Sequence, residues 1–381
     1  MKKKYLAWIF CCLFLLTNCT AQPRDYKTSD VSSLSLMGNT FKETGDDTFT
    51  FVVFAHAYGN ADVNDDIPSI NLTDHLDDVF AMQPSFMVSL GDMVQNGQAL
   101  QFEILKQSLL EKIDIPVFNA VGNHDIKNRE LYSELFGSTY YSFTYGNAVF
   151  FILDTELDQC NISGDQLAIL QDGIANALVD PQIDQIYILM HKVLFLKSEA
   201  IEQNPDYMAR PNDFEIFNGN NFSKVMDSLL IPAAKKKPLY LFAGDVGAFG
   251  GNMSPFYNKD KRANLSMYAA GIGDTEQDVV FLVSNTGKTV SVQPYRLADG
   301  KILDLKNYDL RYWETYGQTP DLRVQQVKEL ISTCTAEVCR FAKNTFHVQC
   351  RYFIVVAAGL LFGIFIAPWV DRYRKNKTSK K

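Results

Sequence analysis

The chain is poor in histidine, with five among 381 residues, and poor in cysteine, with seven. It also lacks a basic stripe. Lysine and arginine number 36 against 44 aspartates and glutamates, and the formal net charge is −8. Setting aside the three lysines near the N-terminus and the net positive C-terminal tail, the rest of the chain carries a formal charge of about −16. A body that acidic repels a phosphate backbone, which argues against nucleic acid as a partner while leaving room for a small phosphoester held through a metal. No internal repeat and no low-complexity segment stands out.

Long uncharged apolar runs are confined to the two ends. Lys2 to Lys4 precede Leu6 to Leu16, and small residues follow at Thr20 and Ala21. That order predicts a signal peptide over residues 1–21 and a mature chain beginning near Gln22, with lipid modification of Cys19 as the alternative. At the other end, Phe353 to Val370 carries no charge and is long enough to cross a bilayer at about 1.5 Å per residue, so a membrane span over 352–370 is expected. Arg372, Arg374, Lys375, Lys377, Lys380 and Lys381 follow it, a basic tail over 371–381 expected to stay cytoplasmic. The body is then extracytoplasmic. Once Cys11, Cys12 and Cys19 leave with the signal, Cys160, Cys334, Cys339 and Cys350 remain. An even number in an exported chain suggests disulfides, with Cys334 and Cys339 the expected pair and a zinc site beside His347 the rival.

Between these ends the pattern alternates. After a polar leader over 22–47, short apolar runs read as buried strands at Thr48 to Phe54, Phe86 to Leu90, Val117 to Val121, Val149 to Leu153, Ile186 to Met190 and Leu239 to Ala243. Helical spacing falls between them at Asn71 to Met82, Ala99 to Ile113, Lys127 to Phe136, Gly164 to Leu178 and Asn221 to Leu230. Strands alternating with helices predict an α/β domain with covered sheets, here over 48–320. Met267 to Ala270, Val279 to Ser284 and Thr289 to Tyr295 lack long helical spacers and are expected to form an antiparallel end. Residues 321–351 read as a juxtamembrane stalk. The polar insertion from Lys192 to Asn220 is a lid or a surface loop, and Asp62, Asp65 and Asp66 read as a solvated acidic loop.

The chemistry gathers at strand ends. His56, Asp92, Asn123 with His124, His191 and Asp245 each follow one of the apolar runs, and three of the five histidines are among them. In an α/β fold, the crevice past the strands' carboxyl ends is where ligands bind, so residues far apart in sequence can meet there. Gly122-Asn123-His124-Asp125 offers a sharp turn, a neutral oxygen ligand, an imidazole near its working pKa, and a carboxylate able to hold that imidazole in one tautomer. Turn chemistry alone is the blander reading of those four residues.

The set made by a first-strand motif, Gly91-Asp92, Gly122-Asn123-His124-Asp125, His191 and the Gly-led motif at Gly244 resembles the calcineurin-like metallophosphoesterases over Thr48 to Tyr295. The resemblance implies an αββα sandwich carrying one or two divalent ions, commonly Mn, Fe or Zn, with Asp92 as the bridging carboxylate. It implies Asn123 and His191 as ligands of the second ion and His124 as the acid that protonates the leaving group. Two motifs depart from the family pattern. Where the family has Asp-x-His, the chain reads Phe54-Ala55-His56-Ala57-Tyr58, so His56 stands either for the aspartate, with Tyr58 for the histidine, or for the histidine, with Phe54 for the aspartate. Where the family has Gly-His-x-His, it reads Gly244-Asp245-Val246-Gly247. A complete second site of Asp92, Asn123, His191 and Asp245 is expected, with His56 left to the first. Gln95 stands where purple acid phosphatases place a tyrosine, so no ferric-tyrosinate centre is expected.

The expected function is therefore a membrane-anchored, metal-dependent phosphoesterase on the extracytoplasmic side, acting on a sugar-, lipid- or polymer-linked phosphoester. Its catalytic residues are His124 and Asp125, and its metal ligands are His56, Asp92, Asn123, His191 and Asp245. The alternative is an inactive binding or scaffold protein on the same fold.

Overall fold

A computed structural model of the chain describes residues 31–42, 47–61, 66–202, 220–248 and 253–315. These belong to the first of two compact units, Met1–Glu314, apart from Thr315, which opens the second, Thr315–Lys381. The expected signal peptide, Cys19, Cys334, Cys339, Cys350, the stalk, the membrane span and the basic tail lie outside the described residues, as does most of the 192–220 insertion. Among the described residues no helix is long and apolar enough to cross a membrane. Cys160 is buried.

The strands are β1 (Thr48–Phe54), β2 (Phe86–Ser89), β3 (Val117–Asn119), β4 (Tyr141–Tyr145), β5 (Ala148–Ile152), β6 (Gln185–Met190), β7 (Leu239–Ala243), β8 (Phe256–Asp260), β9 (Leu265–Ala269), β10 (Val279–Thr286), β11 (Thr289–Arg296) and β12 (Lys301–Ile302). They form two six-stranded sheets, ordered β12-β11-β10-β1-β2-β3 and β4-β5-β6-β7-β9-β8. In the first sheet β1, β2 and β3 run parallel, and in the second β5, β6, β7 and β9 do, so each sheet presents a row of parallel carboxyl ends.

Side-chain alternation explains why the sheets stack. Along β1, Phe49, Phe51 and Val53 join one apolar cluster while Val52 and Phe54 join the other, as the period of two requires. The shared cluster is aromatic: Phe51 stacks on Phe86 at 4.9 Å, Phe143 on Phe150 at 4.8 Å and Phe150 on Tyr187 at 4.7 Å, and Phe51 meets Phe150 edge-on at 5.4 Å. Rings from both sheets therefore interlock between them, which is the geometry aromatic pairs favour. Behind the first sheet, Leu72 and Leu76, Phe102 and Leu105, and Tyr132 bring helices Ile70–Asp74, Leu76–Ala81, Ala99–Ser108 and Arg129–Phe136 against Val52, Met87 and Val117. Helix Gly164–Val179 lies on β5, so close that a Cβ on Gly173 meets the ring of Phe151. The result is a mixed α/β fold of two sheets with helices outside, as a metallophosphoesterase-like sandwich requires.

Several elements differ from the sequence reading. The helix expected over Asn71 to Met82 breaks at His75, whose Nδ1 bonds the Asn71 carbonyl at 2.8 Å and ends the first turn. The segment expected over Asn221 to Leu230 opens into a π turn at Met226–Leu230 and runs on to Ala234. β4, β8 and β12 were not expected, and β9 does not join β10 and β11: it pairs parallel with β7 and antiparallel with β8 in the second sheet, while β10 and β11 form the hairpin in the first.

Candidate metal centre

Two rows of strand ends face one another across the stacked sheets. From the first come His56 after β1, Asp92 after β2, and Asn123 to Asp125 after β3; from the second come His191 after β6 and Asp245 after β7. The backbone is bent to bring them in. Gly91 has φ 93°, and both His56 (φ 55°) and Asp92 (φ 58°) occupy the left-handed region that ordinary side chains avoid. Gly122 leaves no room for a side chain: a Cβ there strikes the Asp92 carboxylate and comes within 2.6 Å of the Asp92 backbone nitrogen.

His56, Asp92, His191 and Asp245 are buried, with one ligand atom from each lying within 4.8 Å of all the others. His56 Nε2 is 3.6 Å from Asp92 Oδ2, His191 Nε2 is 3.5 Å from Asp92 Oδ1, and His191 Nε2 is 3.6 Å from Asp245 Oδ1. These separations are too long for good hydrogen bonds. They suit neighbouring ligands around an ion bound at about 2.1 Å, where tetrahedral donors sit roughly 3.4 Å apart. His191 Nδ1 lies 2.7 Å from the Leu90 carbonyl, which accepts its proton and leaves Nε2 as the coordinating atom. That buried Nε2 has no hydrogen-bond partner. The residues therefore fit a divalent ion.

Electrostatics agree. Burial pulls the His56 imidazole down to about 4, so it is neutral and lone-pair-bearing at neutral pH. Burial works against the charge of Asp92, but the imidazoles of His191, His56 and His124 outweigh it and hold that carboxyl below its ordinary range. Asp245 is likewise held low against burial, by Lys192 and His191. His191 is pushed up by Asp92 and Asp245 although burial opposes them. A proton and a metal ion compete for the same place on it.

The first-motif ambiguity has a geometric answer: His56 enters the cluster, whereas Phe54 is packed with Val52 and Leu72 in the apolar layer behind the first sheet. Tyr58 lies between the His56 and His124 rings, at 5.6 and 5.2 Å, and burial, with help from Asp92 and Asp245, keeps its phenol protonated. His124 stands at the edge with its side chain 24% exposed and its Nε2 4.0 Å from Asp92 Oδ2. Its Nδ1 is bound by the Gln95 carbonyl.

One expectation about this motif needs correcting. Asp125 does not hold His124. Its buried carboxylate accepts the backbone N–H groups of Asp92, Met93, Val94 and Gly122, fixing the loop that carries Asp92, because the turn at Gly122 points it back under β2. Asn123 Oδ1 accepts a hydrogen bond from Lys192 Nζ at 2.8 Å. Lys192 was missed as a site residue. The available signal was a lysine within two residues of the end of a fully buried strand, a place where lysine survives only when paired.

The model of the family described as calcineurin-like phosphoesterase matches residues 62–188, a stretch that holds Asp92, Asn123 and His124. Among solved structures, a purple acid phosphatase from yellow lupin (Lupinus luteus) seeds is similar at 16% identity and a TM-score of 0.47, over 68% of this chain and 53% of that one. A dimetal phosphatase from Danio rerio is similar at 15% identity and a TM-score of 0.40, over 64% of this chain and 98% of that one. The chain thus spans about half the length of the lupin protein. No curated protein matches the chain. Residues 62–188 are thus similar to a calcineurin-like phosphoesterase domain, and the chain holds a His/Asp cluster suited to a divalent metal ion.

Proposed function

We propose that the protein hydrolyses phosphate esters on the extracytoplasmic face of a membrane, with a divalent ion (Mn, Fe or Zn) held by His56, Asp92, His191 and Asp245. The observation that carries this reading is the buried His191 Nε2, without a hydrogen-bond partner and facing Asp92 and Asp245 at ligand-to-ligand spacing. When bound, the ion supplies Lewis-acid polarisation of the phosphoryl group and an acidified water. The chain's own residues do the rest. Asp92 and Asp245 supply negative charge to the site, and the Leu90 carbonyl fixes the His191 ring. His124, oriented by the Gln95 carbonyl and open to solvent, donates a proton from Nε2 to the departing alkoxide.

The signal-like order of residues 1–21, the uncharged run Phe353 to Val370 and the basic residues after it in the sequence support the outward orientation and a substrate held near the bilayer, such as a sugar-, lipid- or polymer-linked phosphoester. Added protease should digest the body in intact cells or spheroplasts and spare the tail. The opposite pattern reverses the topology. For the chemistry, metal-loaded protein should contain at least one ion per chain and hydrolyse a phosphomonoester or phosphodiester above the Asp92→Ala background. Absence of both metal and turnover leaves the inactive-scaffold reading instead.

A further inference from the structure

Lys192 is 3% exposed and lies just past His191, the residue that follows a fully buried strand. Its ammonium has three oxygen neighbours: Asn123 Oδ1 at 2.8 Å, Asp245 Oδ2 at 3.1 Å and Glu156 Oε1 at 3.6 Å. One oxygen comes from the first row of strand ends and two from the second. Asn123 Oδ1 and Asp245 Oδ2 are left over when His56, Asp92, His191 and Asp245 Oδ1 surround one ion, and a second divalent ion would draw on them. Asp245 is divided between the two roles, with Oδ1 turned to His191 Nε2 at 3.6 Å and Oδ2 turned to Lys192.

Resting on the proposed metal-dependent function, we infer that Lys192 is a built-in second cation: its ammonium takes the place of a second metal, and the centre holds one divalent ion per chain. Three facts carry this. The ammonium is covalently fixed at the site, so its local concentration there does not depend on metal supply. Asn123 Oδ1 and Asp245 Oδ2 already accept hydrogen bonds from Lys192, and Glu156 Oε1 lies beside it. A divalent cation placed on the same oxygens meets a like charge at contact distance in a dry site, where Coulomb repulsion is weakly screened. Lys192 in turn cannot leave cheaply, because its neighbours Asp245 and Glu156 would be left buried without their cation. The ammonium also competes with any cation for Asn123 Oδ1. Lys192 is a positioning residue here, holding Asp245 and Asn123, and does not touch the reacting atoms.

Counting Mn2+ bound to the purified full-length protein tests the inference, by elemental analysis after equilibrium dialysis and by electron paramagnetic resonance. Wild type should hold one Mn2+ per chain with the six-line signal of an isolated ion. Lys192→Arg should hold one as well. Lys192→Met and Lys192→Gln, checked for folding by their thermal melts, should take up a second Mn2+, at least about tenfold more tightly than wild type does, with the broadened spectrum of an exchange-coupled pair. Two coupled ions in the wild type overturn the inference and leave the metal-dependent function standing. One ion in a folded neutral variant at saturating Mn2+ overturns it as well, since the lysine is then not what keeps the second ion out. If wild type binds no Mn2+, Fe2+ or Zn2+, the metal reading and the inference fall together. Should neither neutral variant fold, the wild-type count and spectrum still decide between one ion and two.

Discussion

The two rows of strand ends build the same centre by different means. The first works through backbone geometry: His56 and Asp92 at positive φ, Gly91 and Gly122 with no room for a Cβ, and the Asp125 carboxylate gathering four backbone N–H groups beneath the Asp92 loop. The second works through charge. His191 and Asp245 sit on unstrained strand ends and are held by the buried pairing of Lys192 with Asp245 and Glu156. Errors in the first row should therefore act as steric faults that no buffer repairs, while errors in the second should depend on pH.

Asp92 belongs to both, since the imidazoles of His56 and His191 lie on either side of it. Asp92→Asn keeps the shape and removes the charge, and it should lose bound metal and fall to background turnover, the largest effect expected. Retained metal with near-normal turnover places the ion elsewhere. His124→Ala should keep its metal while slowing hydrolysis of alkyl phosphates by roughly 10² to 10⁴. An activated aryl phosphate, whose leaving group needs little help from a proton, should show a much smaller loss; equal losses on both substrates rule out His124 as the acid.

Gly122→Ala tests the geometric row. The added methyl strikes the Asp92 carboxylate and backbone, so a loss of about 3 kcal/mol in urea unfolding is expected, equal at pH 5 and pH 8. Glu156 tests the charged row. Burial pushes its carboxyl up to about 7, although Lys192 opposes that. A carboxyl raised from an ordinary 4.5 to about 7 binds more protons folded than unfolded in that window, so its contribution is fully present below pH 4.5 and is lost as pH climbs through 7. At about 1.4 kcal/mol per unit the change is on the order of 3 to 4 kcal/mol. Glu156→Gln should flatten that slope in melts taken from pH 4.5 to 8, and an unchanged slope assigns the titration to another group.

What the sequence disclosed follows the same division. Apolar runs that are buried on both faces, such as Ile186 to Met190, need no partner to be recognised, and polar residues placed just after them marked the site. His56, Asp92, His191 and Asp245 were all visible in this way. β4 was missed although Tyr141, Phe143 and Tyr145 alternate with Ser142 and Thr144, because its partner β5 drew the reading as a lone strand. β8 carries Asn258, Lys259 and Asp260 on an edge and has little apolar signal. The true role of Asp125 and the pairing of Lys192 with Asn123 were beyond reach for a different reason. Each depends on which of two plausible directions a turn takes, and that is set by neighbours tens of residues away.

The seating of β1 bears on the order in which the molecule assembles. It lies between β2 and β10, and its partner there, Thr286 opposite Thr48, is made when most of the body has already been synthesised. Until β10 arrives, Thr48–Phe54 offers an open row of amides and carbonyls beside an aromatic face, a template for another chain. Shortened chains that stop before Val279 should then scatter light and pellet, whereas chains that run past Ile302 should stay dispersed at the same concentration. The hairpin of β10 and β11 supplies none of the residues at the metal centre, and it acts as the latch that lets a long-range fold finish without neighbouring copies joining in.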